Sequence, residues 1–107
     1  MKEISIRELF KIYQSEYIYK IIDCRNTNDF DKYHIKDTIN IPFDILCEKP
    51  YLFLNKDYEY FVLSKNGKDS KAICMFLNKY GYNLINIVEG IDAWPGYFIQ
   101  NNRFHVS

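Results

Sequence analysis

Residues 60–77 read YFVLSKNGKDSKAICMFL. Four apolar residues, Tyr60 to Leu63, precede a polar stretch with one glycine, Gly67, and then a segment of helical apolar spacing. A short continuous apolar run bounded by a turn fits a strand buried on both faces, as at the centre of a parallel sheet. The periodicity predicts a helix from Ser70 to Tyr80, with Ala72, Ile73, Phe76, Leu77 and Tyr80 on one face and Gly81 as its stop. Strand, loop and helix in that order form a turn that can hold an anion or a nucleophile at its apex. Ser64 opens the loop.

The alternation continues on either side. Ser5-Ile6-Arg7-Glu8 has the form of a capping box, so a helix is expected from about Ile6 to Gln14, after a short strand at Glu3–Ile4. Tyr19 to Ile22 reads as a strand that runs into Asp23-Cys24-Arg25. Thr27 is expected to cap a short helix through Phe30 to Tyr33. Thr38 to Ile41 reads as a strand stopped by Pro42, Phe43 to Cys47 as a helical turn, and Lys49 to Asp57 as a loop. Leu84 to Val88 is the last strand; Glu89-Gly90 turns the chain, and Asp92-Ala93-Trp94 makes a helical turn closed by Pro95-Gly96. Tyr97, Phe98, Ile99 and Phe104 predict a tail that packs back on the body. Strands alternating with helices argue for an α/β fold with a mainly parallel sheet of about five strands.

The totals bound the function. A chain of 107 residues suits a single domain, 1–107, and its 48% hydrophobic content suits a globular one. Formal net charge is zero, which favours neither nucleic acid nor an anionic membrane as a partner. No apolar run approaches the ~20 residues that cross a bilayer, and MKEISIRELF lacks the form of a secretory signal, so a cytoplasmic chain is expected. Cys24, Cys47 and Cys74 are odd in number and match no zinc spacing, so reduced thiols are expected and neither metal nor cofactor is implied.

Two further stretches carry a resemblance. IIDCRNTNDFDKYHIKDTINIP, residues 21–42, is similar to the first signature of the rhodanese domain, in which a strand ends in Asp-x-Arg and an acidic helical turn leads to His-Ile and then Asn-Ile-Pro. Asp23, Arg25, Asp29, Phe30, His34, Ile35, Asn40, Ile41 and Pro42 occupy those places. NIVEGIDAWPG, residues 86–96, resembles the closing signature through Gly90, Ile91, Ala93 and Trp94. The resemblance covers nearly the whole chain. It implies a rhodanese-like fold flanked by helices on both faces and an active loop at Ser64, Lys65, Asn66, Gly67, Lys68, Asp69 and Ser70. It also implies supporting roles for Asp23, Arg25 and His34, the first two bracing neighbouring loops and His34 holding its turn.

The loop departs from the family pattern at two decisive places. The family begins this loop with the catalytic Cys and usually has Arg at its sixth position; here they are Ser64 and Asp69. Its six-residue length resembles the sulfurtransferase branch rather than the longer loop of the related phosphatases. Rhodanese chemistry needs a thiolate, which takes sulfur from a donor such as thiosulfate and carries it as a persulfide. A serine hydroxyl cannot form a persulfide and is a poor nucleophile without an adjacent base. A carboxylate beside a bound anion costs about 1 kcal/mol or more. The family's glycines are also replaced by Tyr33 before His34, by Asp37 after Ile35 and by Glu89 in the closing pair.

The resemblance therefore implies a domain lacking an intact catalytic residue: a binding or regulatory module whose 64–69 loop takes a small anion or a protein partner. The alternative is a thiosulfate-type sulfurtransferase in which another cysteine, such as Cys24, substitutes, or whose native chain has Cys at position 64. The ordinary reading of Cys24 and Cys74 is small buried hydrophobes. A hydrolase built on Ser64 requires His34 within hydrogen-bond reach, and no GxSxG elbow is present.

Overall fold

A computed structural model describes residues 1–17 and 19–100. The elements in chain order are β1 (Lys2–Ile4), α1 (Ile6–Gln14), β2 (Ile21–Asp23), α2 (Thr27–Lys32), β3 (Tyr33–His34), β4 (Ile39–Asn40), α3 (Phe43–Glu48), β5 (Glu59–Leu63), α4 (Lys68–Asn78), β6 (Asn83–Ile87) and β7 (Ile99–Gln100). Short 3-10 turns occupy Pro50–Leu52 and Ile91–Ala93. Among the described residues, five strands form one sheet in the order β1-β6-β5-β2-β4, every neighbouring pair parallel. The α/β class and the parallel sheet agree with the sequence reading.

The apolar run around residues 60–63 lies at the centre of this sheet. Period-2 alternation sends its side chains to opposite faces. Tyr60 and Val62, with Ile22 and Leu84, pack under Leu46 of α3 and Ile73, Cys74 and Leu77 of α4. Phe61 and Leu63, with Ile21, Ile85 and Ile87, pack against Ile6 and Leu9 of α1 and against Ile91 and Trp94. Helices thus cover both faces, which is why the central strands carry no polar side.

Helix α1 has the bounds the capping pattern predicts, and the Ser5 hydroxyl accepts the Glu8 N–H at 3.1 Å. A second cap comes from far along the chain: the Glu89 carboxylate accepts the Ile6 N–H at 2.8 Å. Two local expectations are corrected. The cap of α2 is Asn26, whose side chain accepts the Asp29 N–H, so Thr27 is already helical. α4 runs Lys68–Asn78 rather than Ser70 to Tyr80, and its buried face is Ser70, Ile73, Cys74 and Leu77, while Ala72 and Phe76, and Tyr80 just beyond the helix, face solvent. Ser70 turns inward because its hydroxyl has a partner in the sheet; the aromatic residues one position away are left outside and pair with each other, rings 5.5 Å apart.

The tail forms a second, antiparallel pair, with β7 against β3. The Phe98 ring packs edge-on to Tyr33, whereas Tyr97 is exposed. Phe104, also expected to pack back, lies outside the described residues. Trp94 is 7% exposed, stands edge-on to Phe10 and Tyr13, and donates its indole N–H to the Tyr97 carbonyl.

Candidate active-site loop

The loop between β5 and α4 opens where the central strand ends, the usual place for a ligand in a parallel sheet. Gly67 stands at its far side with φ +89° as the N-cap of α4. The closing segment grips this loop from beneath. The Ser64 carbonyl accepts the Ile91 N–H at 2.8 Å and the Lys65 carbonyl accepts the Asp92 N–H at 3.1 Å. Gly90, at φ +74°, lies so close that a Cβ there would stand 2.5 Å from the Lys65 carbonyl oxygen.

Ser64 is 2% exposed and fully engaged. Its Oγ accepts the Gly67 N–H at 3.0 Å and lies 2.9 Å from the Ser70 Oγ. Ser70 gives its own proton to the Asn86 side-chain carbonyl, so the Ser64 hydroxyl must donate to Ser70. The Asn86 NH2 in turn donates to Glu3 on the edge strand at 3.0 Å. A directed polar chain thus runs from Ser64 through the sheet to β1. Among the described residues, no buried side-chain nitrogen or oxygen lacks a partner. Asn86, 1% exposed, was not among the residues the sequence picked out, although a polar side chain in an otherwise apolar strand was the available signal.

A cavity of about 310 Å³ opens above Ser64, its wall including Cys24, Arg25, Asp29, Asp44, Lys65 and Asp69. Asp23 and Arg25 form a buried, two-pronged ion pair, with Arg25 Nη2 to Asp23 Oδ2 at 2.8 Å. The guanidinium also donates to the Tyr33 carbonyl at 2.7 Å and stands over the Tyr33 ring. Asn40 donates to the carbonyls of both Asp23 and Arg25, tying β4 to the end of β2. His34 lies elsewhere: its ring stacks on Phe30 at 3.9 Å, its Nδ1 is 2.9 Å from the Phe30 carbonyl, and it is absent from the cavity wall. Lys65 pairs with Asp92 at 3.2 Å, and Lys68 donates its backbone N–H to Asn66.

The resemblance noted in the sequence is decided by comparison. The model of the rhodanese-like domain matches residues 7–96. The chain belongs to the rhodanese-like domain family. A Bacillus subtilis protein named "Putative sulfurtransferase YtwF" is 32% identical over 90% of this chain and 92% of its own. Another from that organism, "Putative sulfur carrier protein YrkF", is 28% identical; the match covers 88% of this chain and 51% of that relative. Among solved structures, a rhodanese-related protein from Thermoplasma volcanium superposes with a TM-score of 0.81 at 26% identity, covering 92% of this chain and 98% of that one.

The thiols of this rhodanese-like domain are free and protected to different degrees. Cys24 shares the cavity with Ser64 but is 3% exposed; burial first, then the nearby Asp23 and Asp69 carboxylates, push its pKa well above the ordinary thiol value. Burial pushes Cys74 up to about 12. Cys47, half-buried, is raised more modestly by burial and by Asp44 and Glu48. A persulfide carrier needs the opposite shift, toward thiolate. Among the described residues no helix is long and apolar enough to cross a membrane, and no cluster of His, Cys, Asp and Glu is placed to hold a metal.

Proposed function

We propose that this rhodanese-like domain is a non-catalytic binding or regulatory module, a single domain working in the cytoplasm, with its interaction site around the 64–69 loop. In this reading Ser64 occupies the nucleophile position, Asp69 replaces the usual arginine, and Asp23, Arg25 and His34 support the loops. One observation carries it. The Ser64 hydroxyl is buried, accepts from Gly67 and has its proton directed to Ser70, so no base is in place to activate it. The three free thiols fit a reducing compartment.

Thiocyanate release from thiosulfate and cyanide tests the proposal. The protein is expected to show no turnover above blank.

A second reading, a thiosulfate-type sulfurtransferase working through Cys24, is favoured by the cavity that Cys24 and Ser64 share and by relatives named for sulfur transfer. The raised Cys24 pKa counts against it. Turnover that disappears in Cys24→Ala would establish this second reading in place of the first.

A further inference from the structure

A larger cavity, of about 580 Å³, opens away from the candidate active loop. Phe10 and Tyr13 of α1 form one side of it, and Trp94, Tyr97 and Phe98 of the closing segment form the other. It shares no wall residue with the cavity above Ser64. A concave site of this size, with mostly aromatic walls and few polar groups, has the usual form of a small-molecule site.

The walls are held in place by the protein itself. The Trp94 indole N–H donates to the Tyr97 carbonyl at 3.2 Å, and the Phe10 and Tyr13 rings stand edge-on to the indole, each 5.1 Å from it. Gly96 packs so tightly that a Cβ there would stand 2.8 Å from Trp94 Nε1 and 2.9 Å from Phe10 Cε1. A site fixed in this way takes a ligand at little ordering cost. The Tyr97 ring, by contrast, is 98% exposed, an aromatic face left in water at the rim. Two polar side chains reach the wall, Gln14 and Lys36, and neither has a hydrogen bond or ion pair among the described residues. Lys36 is the only charged residue of the wall; Asp37, next in the chain, is not part of it and does not pair with Lys36.

We propose that this cavity binds a small planar aromatic anion, a carboxylate or sulfonate, whose ring system lies among Phe10, Tyr13, Trp94 and Tyr97 and whose charge meets Lys36. The aromatic walls select the body of the ligand, through edge and face contacts between rings. The unpaired ammonium selects its charge, by complementarity. A bare inorganic anion leaves the aromatic walls unused, and an aromatic cation brings like charge toward Lys36. The site is separate from the 64–69 loop, so it stands whether or not that loop has any activity.

The test uses the full 107-residue chain, labelled with nitrogen-15, and four probes: 2-naphthoate, neutral 2-naphthamide, cationic 2-naphthylmethylammonium and acetate. Trp94 is the only tryptophan in the chain, so its indole N–H gives a single resonance that reports on the cavity. Naphthoate is expected to shift that resonance together with the Gly96 and Tyr97 amides. Naphthamide should bind about twofold to fivefold more weakly, the range of one exposed charge contact, the ammonium probe more weakly still, and acetate should leave the resonance in place. Lys36→Gln is expected to abolish the preference for naphthoate over naphthamide, and Tyr97→Ala to weaken both. The two side chains are exposed, and Tyr97→Ala keeps the carbonyl that accepts from Trp94, so both variants should fold; unchanged amide shifts elsewhere check this. The proposal is overturned if no aromatic probe moves the indole resonance at millimolar levels, if the cationic probe binds as tightly as naphthoate, if Lys36→Gln leaves the preference intact, or if the shifts fall around Ser64 instead.

Discussion

A Cβ added to Gly67 would stand 1.8 Å from the carbonyl oxygen of Val88. The active loop and the closing strand end are thus in backbone contact, with no room for a side chain. Gly67→Ala is expected to lower the unfolding free energy by roughly 3 kcal/mol or more, because a clash with backbone adds to the cost of a positive φ. Gly81→Ala supplies the comparison. Gly81 shares the positive φ, at +90°, but a Cβ there meets only the Lys56 side chain, at 3.6 Å. It should cost about 1 kcal/mol, the conformational term alone. Urea melts of the two variants separate clash from backbone strain; equal losses would contradict the close approach.

Ser64→Cys alone is expected to restore little thiosulfate sulfurtransferase activity. The new thiol gains the Gly67 N–H and the mouth of α4, but Asp69 still opposes an incoming anion. Ser64→Cys with Asp69→Arg should raise activity at least tenfold over the single variant, on an estimate of about 1.4 kcal/mol or more for reversing one charge near a bound anion. Thiocyanate release measures both. Strong activity from the single change would overturn the blocking role given to Asp69.

The buried thiols predict alkaline lability. Cys74 has its pKa raised from 9.0 to about 12, and Cys24 is raised further. Between these limits the folded chain keeps protons that the unfolded chain has released. Stability is therefore fully present below about pH 9 and falls as pH rises toward 12. The slope is up to about 1.4 kcal/mol per pH unit for each thiol. Urea melts at pH 8 and pH 10 should show the loss, and Cys74→Ala should flatten the slope.

Two departures from the family's glycines should respond in opposite directions. Asp37 holds φ +69°, a left-handed conformation that costs a side-chain-bearing residue energy. Asp37→Gly is expected to stabilise by a few tenths to about 1 kcal/mol. Glu89, by contrast, caps α1 through the Ile6 N–H, so Glu89→Gly is expected to destabilise by about 1 kcal/mol. Thermal melts of the two variants provide the check, and a gain from Glu89→Gly would refute the long-range cap.

Local chemistry made much of the fold legible. Ser5 and the spacing of Ile6, Leu9 and Tyr13 were enough to place α1, since a cap and one apolar face define a surface helix. The central strand announced itself because burial on two faces leaves no polar position. The inward face of α4 was less readable. Aromatic size suggested that Phe76 and Tyr80 were core, whereas the small polar Ser70 is buried because Asn86 meets it across the sheet. A partner 16 residues away leaves no trace in helical periodicity. The β3–β7 pair was illegible for a simpler reason: two-residue strands have no period. At the site, the charge inventory of the cavity needed the fold, because Asp44 and Asp69 come from separate helices.

The Glu89 cap also bears on the order in which the domain can be assembled. Within the domain α1 is synthesised early, but both its long-range cap and the β6 strand that pairs with β1 come more than 75 residues after its start. The amino-terminal edge of the sheet must therefore wait for nearly the whole domain before it closes. A nascent chain stalled before residue 83 would present β1 and α1 unpaired, and these are the parts that a chaperone would meet.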